Sequence, residues 1–171
     1  MANTTGKKIK DAAIIGGCAS LIYLTIGDIS YRLSLSRGGL NSKLITDMVA
    51  KSAAKKPKNE YKEKLDSMID DGADWFMHQD TEKIIIEKKH RLSLYADLIR
   101  PDKPSNVYII CIHGYTSSPA NMGIYAKKYH ELGYNVLLPS LRGHGDSEQD
   151  FITMGWNDRL DVIEWINYIA E

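Results

Sequence analysis

Only two cysteines occur in the 171 residues, Cys18 and Cys111. Cys18 sits in an N-terminal apolar run and Cys111 in a separate one. They are not expected to meet, so a disulfide framework is excluded as the basis of the fold. Net charge is also lacking: 22 Lys/Arg balance 22 Asp/Glu, and bulk electrostatics give no reason to expect a nucleic-acid partner. There is no low-complexity tract and no internal repeat. With 43% apolar and 26% charged residues the composition is globular, and the length fits one ordinary core.

The charge is unevenly spread. Through Lys64 there are twelve Lys/Arg against five Asp/Glu; from Leu65 onward there are ten against seventeen. The basic part contains an uncharged apolar stretch, Ala12 to Ile26, preceded by Lys7, Lys8 and Lys10. A basic flank beside an apolar run suits an anionic membrane surface, and a solvated Lys-rich helix suits it equally.

The run spans about 22 Å as a helix, against a hydrocarbon core of roughly 30 Å. Extending it to Ile29 admits Asp28 near the interface. Thr25-Ile26-Gly27 makes a poor cleavage site, so an uncleaved signal anchor is the first reading of residues 1–30. A cleaved signal peptide is the second and a buried core helix the third. The lysines favour an N-inside orientation, but Arg32, Arg37 and Lys43 blunt that bias. Gly16 and Ser20 form a small-xxx-small pair. Cys18 follows Ile15-Gly16-Gly17 as in a bacterial lipobox, but the preceding apolar stretch is too short for lipidation to be expected.

Residues 31–78 read as a helical extension. Gly38-Gly39 breaks the chain, and Asn41 or Ser42 caps a helix carrying Leu40, Leu44, Ile45, Met48 and Val49. Lys55-Lys56-Pro57-Lys58 ends it. A second helix starts at Asn59, presents Tyr61, Leu65, Met68 and Ile69 on one face, and stops near Gly72. Trp75 and Phe76 then staple onto a sheet.

Residues 79–171 alternate strands and helices. Lys83 to Glu87 holds Ile84-Ile85-Ile86, and Arg91 to Ile99 alternates Leu92, Leu94, Ala96 and Leu98 with polar residues, so the two form a hairpin through Lys88-Lys89-His90. Val107 to Ile112 is apolar on both faces, as a central parallel strand is. Ser118 caps the next helix, with Pro119 at its first position and Met122, Tyr125, Ala126 and Tyr129 as its buried stripe; Gly133 ends it. Tyr134 to Leu138 is a further strand. Gly155-Trp156 opens a last helix, with Leu160, Ile163 and Ile166 as core candidates. The fold class is α/β: an antiparallel hairpin, then parallel strands with flanking helices, preceded by an N-terminal apolar helix.

Two motifs stand out. His113-Gly114-Tyr115 follows the apolar strand directly, and Arg142-Gly143-His144-Gly145-Asp146-Ser147 follows the next strand. Together with Gly155-Trp156, from about Asn59 to Glu171 the chain resembles the α/β-hydrolase superfamily. The likeness is to a membrane-anchored bacterial branch described as alpha/beta hydrolases or serine-aminopeptidase-like hydrolases. The resemblance implies a serine hydrolase that cleaves an ester or amide through an acyl-enzyme. It maps one oxyanion-hole donor to the backbone N–H of Tyr115, after His113-Gly114. Such a donor stabilises the developing oxyanion, typically by about 3–4 kcal/mol.

The resemblance makes His113 and His144 structural, with Gly114, Arg142, Gly143 and Gly145 shaping the loops beside the site. His113 as a base is the competing assignment, but the family order of Ser, acid and then His puts the base last. Ser147 is not a nucleophile, since no strand leads into it. Relatives often carry Asp where this chain has Ser140, which alters a local polar contact. No Gly-x-Ser-x-Gly occurs anywhere. The nucleophile, the acid, the catalytic histidine and any cap are therefore expected after Glu171, and the chain alone is expected to be inactive.

The family's strand order leaves Val107–Ile112 as an exposed apolar edge here, so self-association is expected. A monomeric, cooperatively melting preparation of residues 30–171 would refute it. The expected partners are a small-molecule or peptide substrate and, through the N-terminal segment, the cell membrane, with residues 79–171 outside the cytoplasm. No cofactor or metal is implied. A metal site of His113, His144 and Asp146 fits no compact ligand spacing. A membrane-anchored, non-catalytic binding module is the alternative function.

Overall fold

The computed structural model describes residues 3–37, 43, 47–48, 51–52, 59–88 and 92–171. The helix expected across Leu40 to Val49 and its cap fall outside these, apart from Lys43, Asp47 and Met48. The breaks at Gly38-Gly39 and Lys55–Lys58 and the hairpin turn at Lys89-His90 also fall outside.

Helix α1 (Asn3–Leu35) is one unbroken element. Its stretch Ile14–Leu35 is long and apolar enough to cross a membrane. Every described side chain from Ile14 to Arg32 is exposed, and burial begins at Leu33.

Helix α2 (Glu60–Met77) starts where Asn59 accepts hydrogen bonds from the N–H groups of Tyr61 and Lys62. It does not stop near Gly72. Gly72 lies inside the helix because another helix crosses there: a Cβ on Gly72 would stand 2.3 Å from Ile124 N, and one on Gly123 would stand 2.0 Å from the Gly72 carbonyl oxygen. The expected buried face is also corrected. Tyr61, Leu65 and Met68 are exposed, and the helix buries Gly72 and Phe76 one turn or more later.

Strands β1 (Glu82–Lys88) and β2 (Leu92–Ile99) form the antiparallel hairpin, with Ile84 opposite Ala96 and Ile86 opposite Leu94. Strand β3 (Tyr108–Ile110) is followed by a 3-10 turn (Pro119–Met122), α3 (Gly123–Glu131), β4 (Asn135–Pro139) and α4 (Asp158–Ala170). The sheet order is β1-β2-β4-β3, with β4 antiparallel to β2 and parallel to β3. The central, wholly buried strand is β4. β3 is short and half-buried at the edge, and Cys111 N–H extends its ladder by donating to Leu137 O at 2.8 Å.

Helices cover both faces. On one, Phe76 of α2 and Ala126 of α3 pack on Ile99, Val136 and Leu138; on the other, Trp165 of α4 packs on Ile84, Leu94, Leu98 and Leu137. Within α3 the expected stripe holds only in part, because Ala126 is buried and Tyr125 is exposed. In α4 the expected core residues Leu160, Ile163 and Ile166 are exposed, and Asp158, Asp161 and Trp165 are buried instead. Loop carboxylate contacts described below set that rotation.

Cys111 is buried beneath α2 and α3, and burial pushes its thiol up to about 11. It is therefore protonated at pH 8 and shielded. Iodoacetamide is expected to leave Cys111 unmodified in the folded chain and to modify it in 6 M guanidinium (a concentration of about the usual unfolding strength), as read by peptide mass spectrometry.

Candidate active site

The loop after β3 holds His113 by both ring nitrogens. Nδ1–H donates to the Gly114 carbonyl at 2.9 Å, and Nε2 accepts the Leu141 N–H at 3.1 Å. A carbonyl only accepts and an N–H only donates, so the ring is the neutral Nδ1–H tautomer. No lone pair is left for a base or a metal. The side chain therefore pins the loop after β3 to the loop after β4. Burial, and secondarily the nearby His144, lowers the His113 pKa from 6.5, partly offset by the Gly114 hydrogen bond.

This gives a sign for the pH dependence. The unfolded histidine takes up a proton as pH falls through about 6.5 while the folded one still resists it. The contribution to stability is present above that pH and is lost below it. The melting temperature is expected to fall between pH 7 and pH 5 (a window of about two units spanning the free histidine value). His113→Asn is expected to be less stable at the upper end and to lose less across the window. Equal losses in both proteins would refute this.

Gly114 and Tyr115 lead into a turn in which Thr116 takes φ +58°. A left-handed conformation costs a side-chain-bearing residue roughly 1–2 kcal/mol. Among the described residues no acceptor meets the Tyr115 N–H. Gly114 and Tyr115 line a cavity of about 460 Å³ whose other walls include Leu141, Ile152, Met154 and Val162.

The second loop is shaped by glycine and by buried charge. Gly143 takes φ +71°, and a Cβ there would stand 3.1 Å from the Phe151 backbone. Arg142 donates from Nε and Nη2 to the two carboxylate oxygens of Asp161 on α4, the second bond at 2.7 Å. That fork, with its desolvation cost outweighed, raises the Arg142 pKa. Asp158 accepts from Thr153 Oγ1 at 2.8 Å and from Gly155 N–H at 2.7 Å, so it organises the turn that opens α4. Ser147 is fully buried. It donates to Ser140 O at 2.6 Å and accepts from Tyr95 N–H at 3.0 Å, which ties the loop to β2. Ser140 sits beneath Gly145, whose Cβ would stand 2.7 Å from its Oγ.

The two motifs meet. The rings of His113 and His144 pack edge to face at 4.9 Å. His144 Nδ1–H donates to Arg142 O at 3.0 Å, which leaves Nε2 as an acceptor. Among the described residues, His144 Nε2 and Asp158 Oδ1 are buried without a partner, and both residues line the cavity. Both atoms are closed off from solvent behind the cavity floor to which their residues contribute. Asp146 is exposed, 3.9 Å from Lys83, and is not part of this floor. Among the described residues no three metal-binding side chains come together.

Sequence reasoning missed Asp158 and Asp161. Their signal was an acidic first turn on an otherwise apolar helix. It also missed the end of α1. Tyr115 Oη donates to Ser34 O, and Arg37 donates to Gly145 O and, at 3.3 Å, to Ser147 O. Arg37 N–H donates to Asp150 O at 2.9 Å, and Ile152 N–H donates to Leu35 O at 2.8 Å. No local pattern marks contacts across so much sequence.

No family model matches the chain. Over 65 residues it is 34% identical to a thermostable monoacylglycerol lipase of Bacillus sp. (strain H-257), covering 38% of this chain and 24% of that protein. Two structures of the Pyrococcus furiosus esterase Pf2001 are similar. One has 27% identity and a TM-score of 0.49 over 55% of this chain and 37% of the esterase; the other has 28% and 0.46 over 53% and 36%. The chain thus spans about a quarter of the lipase and little more than a third of the esterase. Over this partial region it is related to the α/β-hydrolases.

Proposed function

We propose that the chain carries the oxyanion-side half of a membrane-anchored serine hydrolase that cleaves an ester or amide through an acyl-enzyme. The observation that carries this reading is that, among the described residues, no acceptor meets the Tyr115 N–H, in a residue that lines a largely apolar cavity. A fixed backbone donor at that point is what an acyl-transfer site needs where charge develops. His113, Gly114, Arg142, Gly143, His144 and Gly145 hold the two loops that frame it, and α1 is the anchor. The nucleophilic serine, the acid and the base come from outside these residues, because no Gly-x-Ser-x-Gly occurs within them.

The reading frame beyond codon 171 tests this first. A strand of about five to six residues followed by Gly-x-Ser-x-Gly is expected, with an acid and a histidine later. A fluorophosphonate probe should then label that serine in the longer product and nothing in residues 1–171. A stop codon at that point overturns the single-chain enzyme, and labelling of a serine within the 171 residues overturns the assignment of roles.

A further inference from the structure

We infer that the mouth of the candidate cavity is a membrane-docking surface, held against the headgroup layer of the bilayer by the last turn of α1. The proposal rests on the anchoring part of the reading above and goes beyond it.

The argument starts with the helix axis. Asp28 and Arg32 form an exposed ion pair at 2.8 Å, one turn apart. Charged side chains belong at the edge of the hydrocarbon, so Arg32, with Asp28 reaching along the helix to it, marks the level at which α1 enters the headgroups. Ser34 lies two residues beyond Arg32, which at 1.5 Å per residue is about 3 Å along the axis. The headgroup layer is about 5–8 Å deep on each side. The Tyr115 hydroxyl meets α1 at Ser34, and the Tyr31 and Phe151 rings meet one turn earlier, with centroids 5.3 Å apart. No spacer therefore separates the span from the site.

Arg37 makes the join rigid by donating to the carbonyls of Gly145 and Ser147. Both loops of the site are thus tied to the helix end, one through Tyr115 and one through Arg37. The surface beside the join has interfacial chemistry. Met154, on the cavity rim, is 63% exposed, and Trp156, two residues on, is 72% exposed. The Arg159 guanidinium stacks over the Trp156 ring at 4.1 Å. An exposed aromatic carrying a cation is suited to the boundary between acyl chains and headgroups, where tryptophan is enriched. A cavity that opens there meets membrane-borne amphiphiles first, so the substrate class is an acyl ester or amide carried in the bilayer.

The test is tryptophan emission from the full chain reconstituted in phosphatidylcholine vesicles with bromine at carbons near the headgroup. Shallow bromines are expected to quench part of the emission, and that part is expected to vanish in Trp156→Phe. Trp165, buried in the sheet packing, and Trp75, half-buried on α2, supply the signal that remains in Trp156→Phe. Arg37→Ala is expected to reduce the quenching, because the second loop is then released from the helix end. Equal quenching in the parent chain and Trp156→Phe, or none in either, overturns the docking surface. Unchanged quenching in Arg37→Ala overturns the role of the helix end. No turnover is involved, so failure here leaves the hydrolase reading standing, and an inactive protein that is quenched as expected leaves the surface standing.

Discussion

Gly123→Ala is expected to lower the stability of the chain by about 3 kcal/mol, the upper end of the usual cost of overpacking a core. The new methyl would stand 2.0 Å from the Gly72 carbonyl oxygen and 2.5 Å from its carbon. Neither atom belongs to a flexible side chain that can swing away. Relief requires α2 and α3 to separate, and their separation opens the packing of Phe76 and Ala126 on Val136 and Leu138. Gly72→Ala meets the same crossing from the other side, with its methyl 2.3 Å from Ile124 N. The two changes share one contact, so their costs should fall short of additive. Gly133→Ala is a useful contrast: its φ of +81° carries strain but no atom lies near the added carbon. It should cost about 1 kcal/mol. Urea midpoints of the full chain in detergent measure all three. A Gly123→Ala loss no larger than that of Gly133→Ala would show that the helices do not cross at these glycines.

That crossing also marks where a one-dimensional reading of the chain stops. Gly72 sits where a helix-terminating glycine would sit, and nothing local distinguishes a cap from a close approach. The difference lies in Gly123, fifty-one positions away, so only the packed structure decides it. The strands were legible for the opposite reason. Their apolar patterns are properties of each strand by itself, although Ala96 to Ile99 of β2 are all buried where alternation predicts one buried face. The order β1-β2-β4-β3 was not legible from periodicity, because β3 is as apolar as a central strand and yet lies at the edge.

The same limit applies to the site. Its glycines and histidines announced themselves through spacing, and of the two motifs His113, Gly114, Tyr115 and His144 line one cavity. The residues that hold those loops did not. Helix α4 offers two stripes of equal helical period, Leu160-Ile163-Ile166 and Asp158-Asp161-Trp165. Ranking by hydrophobicity selects the first. The fold buries the second, because Arg142 and the turn at Gly155 need carboxylates more than the sheet needs three further aliphatic side chains. Ser34 and Arg37 were hidden in a helix whose composition spoke only of a membrane.

Asp161→Asn is accordingly expected to cost about 3–5 kcal/mol, the range for removing one partner of a buried ion pair. The side chains of Arg142 and Asp161 are 12% and 4% exposed, and the pair is joined at two points. Asparagine keeps the shape and one acceptor but leaves the guanidinium charge without its counterion in a site closed to water. The loss should be largest in the loop that follows β4, since Arg142 carries that loop onto α4. Hydrogen exchange should speed up at His144, whose N–H donates to Leu141 O at 3.0 Å. Arg142→Met combined with Asp161→Leu should recover most of the stability, because two apolar side chains of similar volume remove both charges at once. The cavity floor would not recover with it. His144 is positioned through the Arg142 carbonyl, and its orientation depends on where the loop sits as well as on how stable it is. The double variant thus separates the two roles of the pair. If it restores the urea midpoint without restoring protection at His144, the ion pair orients the site; if it restores both, packing alone suffices. A single Asp161→Asn change that leaves the midpoint within about 0.5 kcal/mol, the size of an ordinary surface substitution, would mean that Arg142 is not held by a buried charge.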